Sequence, residues 1–373
     1  MQTDVLIIGA SVAGLSTAAA LQKQGIAYTI IEKGSRVGGP WHEHYDRLHL
    51  HTSKRFSNLP YKKFPSSVPR YPSRQQVIDY LEDYGRTFNI DPVFNTEALS
   101  ITRENGHWQT VTNNGRYLSN YLVMATGAYS KPKPIDFEGL ASFPGKVLHS
   151  SQYKTGRDYK GQTVLVVGFG NSACEIAVDL YEQGAKPVMA VRSPINIVPR
   201  DVFGISVLEL SALLSPLPPR LADTISAPLM KGLIGDLATL GLERMPYGPL
   251  EAIHRDGNPP ILDIGAIKHI RLRHIIVRVG IGYIDHAVVR FTDGYQQSFD
   301  TIIAAIGYYR DYGKVLHVDP ARFDDLKLPA AKQKYFGAEG LYFCGYWISP
   351  TGQFRSIGKD ALLIAKHIAR EKP

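Results

Sequence analysis

The chain has 373 residues, 44% apolar and 20% charged, with no polar low-complexity tract. That fits about two or three folded domains and excludes a peptide hormone, a single small module or a disordered chain. Its 42 Lys and Arg against 34 Asp and Glu leave a scattered net charge of +8, which suits phosphorylated small molecules and gives no reason to expect nucleic acid. Cys174 and Cys344 stand far apart without CxxC or metal-ligand spacing, so neither a metal nor dithiol chemistry is expected, and a reducing, cytoplasmic setting is.

In chain order, Val5 to Ile8 reads as a short apolar strand, followed by the turn Gly9-Ala10-Ser11-Val12-Ala13-Gly14 and an Ala/Leu-rich helix ending near Gly25. Tyr28 to Ile31 is the next strand, closing on Glu32 and Lys33. Glycines here let backbone approach a pyrophosphate at a helix N-terminus, and an acid about 20 residues on takes ribose hydroxyls. Glu32 lies 23 residues after Gly9. The middle position is Ser11, expected either to crowd the phosphate slightly or to donate a hydroxyl hydrogen bond to it. An adenine dinucleotide held by Gly9, Ser11, Ala13, Gly14, Glu32 and Lys33 is the expectation. Gly39 and Trp41 add a flexible loop and a flat ring where a flavin would continue from the ADP, making the ligand FAD. His51 and Asn58, in the loop that follows, are the candidate catalytic side chains, and His51 is also a candidate cofactor contact.

A helix is predicted from Ser73 to Phe88, then strands near Leu99 to Thr102, Trp108 to Thr112 and Tyr117 to Met124. The last enters a glycine turn at Thr126 and Gly127, both candidate flavin contacts. The strand–glycine–helix pattern then recurs. Thr163 to Val167 is a strand, Gly168-Phe169-Gly170-Asn171-Ser172-Ala173 the turn, and a helix runs to Gly184. Pro187 to Val191 follows and ends in Arg192 instead of an acid, which suits the 2′-phosphate of NADPH. Gly168, Gly170, Asn171, Ser172 and Arg192 are the candidates at this second site. The Leu-rich stretch Val202 to Leu242, cut by Pro216, Pro218, Pro219 and Pro228, reads as helices and turns, not a membrane insertion. No secretory leader is read before Asp4.

Ile302 to Gly307 nearly repeats Leu122 to Gly127, so each returns the chain from one nucleotide unit to the other. Leu341 to Gly345 is a last strand, and Gln353 opens the C-terminal helix; Gly345 and Gln353 are placed near the flavin. The expected fold is α/β, with two Rossmann-like dinucleotide-binding domains of the three-layer ββα type and the NADPH domain inserted into the FAD domain. Its expected boundaries are 1–150, 151–305 with a helical segment at 202–242, and 306–373.

The segment Phe143-Pro144-Gly145-Lys146-Val147-Leu148-His149, with Tyr153 after it, resembles the fingerprint of class B flavin-dependent monooxygenases, the FMO family. Within that family, blocks such as Tyr45-Asp46-Arg47-Leu48-His49-Leu50-His51 and Pro260-Ile261-Leu262-Asp263 look like the YUCCA branch. The resemblance covers nearly the whole chain. It implies an NADPH- and O2-dependent flavoprotein that forms a C4a-(hydro)peroxyflavin and places one oxygen atom in a small organic substrate, with oxidative decarboxylation of an aromatic 2-oxo acid such as indole-3-pyruvate as the branch reaction. Oxygenation of sulfides or amines, Baeyer–Villiger oxidation of ketones, and an uncoupled NADPH oxidase are the alternatives. In the family the fingerprint lies at a domain connection, so His149 is expected to be a hinge residue. A homodimer is the assembly kept open.

Overall fold

A computed structural model describes residues 1–127, 131–214, 216–309, 315–317 and 337–371. In chain order its main elements begin with β1 (Gln2–Ile8), α1 (Val12–Lys23), β2 (Tyr28–Ile31), α2 (Arg74–Thr87), β3 (Ala98–Glu104), β4 (His107–Thr112) and β5 (Gly115–Met124). There follow β6 (Lys146–His149), β7 (Thr163–Val167), α3 (Asn171–Glu182), β8 (Lys186–Ala190), α4 (Val207–Leu214) and α5 (Pro219–Ile234). The last are β9 (Ile276–Arg278), β10 (Thr301–Ala304), β11 (Leu341–Phe343) and α6 (Gln353–Glu371).

The chain divides into two compact units, one made of Met1–His42, Thr52–Lys131 and Tyr309–Pro373, the other of Glu43–His51 and Pro132–Tyr308. In the first, the sheet runs β2-β1-β5-β4-β3, with β11 also on β5. β1 pairs in parallel with β2 and β5, and β11 in parallel with β5, whereas β3, β4 and β5 form an antiparallel meander. Val5, Leu6 and Ile7 are fully buried, as expected of a central parallel strand covered on both faces. Ser73 caps α2 in a capping box with Gln76, which fixes that helix start where the sequence places it.

The second unit repeats the plan. Its sheet runs β9-β8-β7-β10-β6, and every pairing in it is parallel. A separate antiparallel meander, Ile281–Asp285, Val288–Phe291 and Gln296–Ser298, lies between β9 and β10 in the chain. Two dinucleotide folds, one inserted in the other, are therefore observed. The return to the first unit falls at Tyr309 rather than at 306, and the division differs more widely from the expected limits in two other places. The first crossing falls at Lys131 and Pro132 rather than at 150, because β6 pairs with β10 and so carries the fingerprint segment into the second unit. Residues 43–51 also leave the first unit for the second. In the Leu-rich stretch α5 runs unbroken through Pro228. Pro219 opens it at a position where no amide is needed, and Pro228 forfeits only one hydrogen bond of the ladder.

Candidate active site

At the first glycine turn Gly9 has φ +105°, and a Cβ there would lie 2.9 Å from the Ala125 carbonyl oxygen. A side chain on Gly14 would meet the Gly9 carbonyl at 1.8 Å. The turn therefore brings the start of α1 directly onto the end of β1. Ser11 is the N-cap of α1, with extended backbone and no side-chain cap bond, and no acid stands in the first turn. The leading amides are thus left to an anion, which a helix N-terminus favours. Glu32 is buried at the end of β2 and accepts from the amides of Ala10 at 2.7 Å and Gly34 at 2.8 Å. A carboxylate accepts about four hydrogen bonds, so Glu32 is oriented by the turn and keeps capacity for ribose hydroxyls. Lys33 beside it is exposed.

Other expected flavin residues gather in the same unit. Gly345, φ +81°, has Ile357 at 3.0 Å and Ala13 at 3.5 Å from the place of a Cβ, so the turn after β11 abuts the first turn of α1. Gln353 fastens that turn, its amide donating to the carbonyls of Gly345 at 3.2 Å and Trp347 at 3.0 Å. Thr126 is hydrogen-bonded to the fully buried Tyr346, whose hydroxyl burial pushes upward in pKa. Gly127 and Gly39 have open space where a Cβ would stand. Trp41 packs edge-on against Phe354, ring centres 5.7 Å apart.

The second turn has the same backbone and different residues. Gly168 has φ +114° and would bring a Cβ to 2.6 Å from the Ala305 carbonyl. Gly170 is the N-cap of α3, again without a side-chain cap, and nothing of the protein lies within 4 Å of where its Cβ would be. Asn171 and Ser172 are turned to other uses. Asn171 accepts from the Leu262 amide at 2.8 Å, and Ser172 stands beside the Tyr45 hydroxyl. Arg192 is exposed just beyond β8. Sequence reasoning missed its neighbour Arg278, at the end of β9, whose carbonyl accepts from Val191 and whose guanidinium lies 3.6 Å from the Tyr295 ring centre. Among the described residues the buried Arg278 Nε has no hydrogen-bond partner. Two guanidinium groups therefore end adjacent parallel strands next to the glycine turn, where an adenosine phosphate would be met.

The two candidate catalytic side chains fall in different units. His51 belongs to the second unit, where its Nε2 is held by Glu175 of α3. Asn58 belongs to the first and spends its amide on its own loop, accepting from Phe64 at 2.8 Å and donating to Arg55 at 3.3 Å. His149 is buried; its Nδ1 accepts from the Ser151 amide at 3.1 Å and its Nε2 faces the Gly307 carbonyl at 3.1 Å. Those partners require the neutral ring with its proton on Nε2, and burial lowers its pKa. His149 thus ties β6 to Gly307, two residues before the chain returns to the first unit. Among the described residues no group of three or more His, Cys, Asp or Glu could hold a metal, and no helix is long and apolar enough to cross a membrane.

Two uncapped glycine-turn helices, one on a mixed sheet and one on an all-parallel sheet, in a chain whose cysteines are both free and buried, give the class of a two-dinucleotide oxidoreductase fold without a redox-active disulfide pair. The comparisons with known proteins sharpen that class. Residues 6–202 match the pyridine nucleotide-disulphide oxidoreductase family. The indole-3-pyruvate monooxygenase YUCCA6 of Arabidopsis thaliana is 38% identical over 92% of this chain and 85% of its own. The indole-3-pyruvate monooxygenase YUCCA1 of Oryza sativa subsp. japonica is 36% identical over 97% and 90%. A flavin-containing monooxygenase from Stenotrophomonas maltophilia has the same fold, with TM-score 0.71 at 19% identity, covering all of this chain and 99% of that one. Cyclohexanone monooxygenase superposes with TM-score 0.76 at 17% identity, over all of this chain and 88% of its own.

The chain belongs to the YUCCA branch of the flavin-dependent monooxygenases. It is an oxidoreductase that uses FAD and NADPH.

Proposed function

We propose that the protein is a cytoplasmic enzyme that converts an aromatic 2-oxo acid, with indole-3-pyruvate as the first substrate to try, into the acid one carbon shorter. One 2-oxo acid, one O2, one NADPH and one proton give the shorter acid, CO2, NADP⁺ and water. The observation that supports this most directly is identity above 35% to two indole-3-pyruvate monooxygenases across more than nine-tenths of the chain.

The residues present fit both dinucleotides. Gly9, Ser11, Ala13 and Gly14 would seat the FAD pyrophosphate on α1, with Glu32 at its ribose, and Gly39, Trp41, Thr126, Gly127, Gly345 and Gln353 around the rest. Gly168 and Gly170 would seat the NADPH pyrophosphate on α3, with Arg192 and Arg278 at the 2′-phosphate. FAD, when bound, supplies hydride acceptance and oxygen activation. The chain's part is to bind, orient and keep water out. His149 donates its one ring proton to a backbone carbonyl, and the Asn58 amide is engaged within its loop, so both serve as fasteners of segments, not as proton carriers.

The test is turnover with indole-3-pyruvate under ¹⁸O2. The proposal predicts indole-3-acetate carrying one ¹⁸O, in step with NADPH consumed. Oxygenation of methyl sulfides without any indole-3-acetate would assign the other oxygenation chemistry, and hydrogen peroxide equal to NADPH with every substrate would make the protein an oxidase.

A further inference from the structure

Ser172, Glu175, Asp179 and Glu182 recur at helical spacing and share one face of α3. Glu175 and Asp179 are only 1% and 5% exposed, and buried carboxylates need their lone pairs met. Each is met from outside the helix. Tyr153 of the fingerprint and the Gly156 amide donate to Asp179 at 2.6 and 2.8 Å. The remaining donors come from residues 43–51, the strap that belongs to the second unit although the chain on both sides of it lies in the first.

The strap is fixed along its length. Arg47 pairs with Glu182 through both terminal nitrogens, and the Asp46 amide donates to the Lys154 carbonyl at 3.0 Å. Tyr45 is buried among the second unit's core side chains. Burial, reinforced by the nearby Glu175 charge, pushes its hydroxyl pKa well up. A carboxylate only accepts, so the His51 Nε2 donates to Glu175, and the Tyr45 hydroxyl stands near enough to Glu175 to feel its charge. Glu175 is thus the acceptor on which the strap's His51 closes, beside the buried Tyr45, one turn inside the helix whose leading amides would face the second dinucleotide.

We propose that Glu175 is a positioning residue for NADPH. It seats the strap on the first turns of α3 and so holds those turns in the arrangement that receives the dinucleotide phosphates. This rests on the reading that NADPH lies at the Gly168 and Gly170 turn. Without the carboxylate, His51 loses its acceptor on α3 and the strap lifts. The known reaction gives Glu175 no chemical step, which is why its effect falls on binding.

The experiment uses the FAD-loaded enzyme and NADP⁺ as the probe. Hydrogen exchange of residues 43–51 and the NADP⁺ Kd from flavin fluorescence are measured for the wild type, Glu175→Gln, Glu175→Ala, His51→Ala and the His51→Ala/Glu175→Ala pair. Expected are strap amides that exchange about tenfold faster and an NADP⁺ Kd about tenfold weaker in Glu175→Ala. Glu175→Gln should be intermediate, the double variant no worse than Glu175→Ala, and the KM for NADPH should rise more than kcat falls. Strap exchange equal to wild type in Glu175→Ala, or additive effects in the pair, would overturn the inference. A wild type that protects the strap yet binds no NADP⁺ would overturn the placement of NADPH and the link to it.

Discussion

The two glycine turns place the same backbone with opposite assignments of small residues. In the first, the third position is Gly14, which has no room for even a methyl group, while the middle position tolerates Ser11. In the second, the middle position is Gly170, with nothing of the protein near its missing Cβ, while the third is the fully buried Ala173. The first glycine therefore answers to helix–strand packing, while the second leaves open space beside the backbone, as a closely approaching ligand would need. The same motif can be demanded by the core in one copy and by the cofactor in the other.

That contrast breaks most readily by filling the two gaps. Gly14→Val forces the Gly9 carbonyl away and is expected to cost about 3 kcal/mol or more, seen as loss of soluble yellow protein. Gly170→Val is expected to fold with full FAD and a Tm near wild type, but to raise the KM for NADPH about tenfold or more. If Gly170→Val instead lost FAD, the two turns would not be independent. Next in size, Arg192→Ala should lower the preference for NADPH over NADH in kcat/KM by about tenfold, with Arg278→Ala acting in the same direction. An unchanged cofactor preference in both would place the 2′-phosphate elsewhere.

His149 sharpens the comparison through pH. Its folded pKa lies below that of the unfolded chain, so the unfolded state takes up the proton first. The stability contributed by the neutral ring is full above about pH 6.5 and is lost as pH falls toward the lowered folded value. His149→Asn should make Tm flatter between about pH 7.5 and about pH 5.5; a slope equal to wild type would mean the ring is not held neutral. The smallest effect belongs to Ala173→Gly, expected to cost about 1 kcal/mol of helix stability with NADPH kinetics little changed.

Much of this site is legible in the sequence because it is local. Gly9 to Gly14, Glu32 and the repeat from Thr163 to Arg192 are each read within one strand, turn and helix, and the structure places them so. The near-twin stretches ending at Gly127 and Gly307 lie shortly before the crossings at Lys131 and Tyr308. What escapes is long-range. Glu175 meets His51 across 124 positions, and nothing in the Tyr45 to His51 pattern says which unit it will pack on. The partnership of Arg278 with Arg192 depends on the register of β9 on β8. The fingerprint from Phe143 to Tyr153 was visible as a motif, but its membership of the second sheet follows from the pairing of β6 with β10. Pro228 shows propensity yielding to context, since α5 absorbs it.

The central claim is that one chain holds a flavin and a separately seated nicotinamide dinucleotide that reduces it. Anaerobic titration of the purified protein with NADPH tests this most directly. The account predicts one FAD per chain, bleached by one equivalent of NADPH and regaining its yellow colour when air is admitted. A protein that stays colourless after incubation with FAD, or whose bound flavin NADPH leaves oxidised, would contradict it.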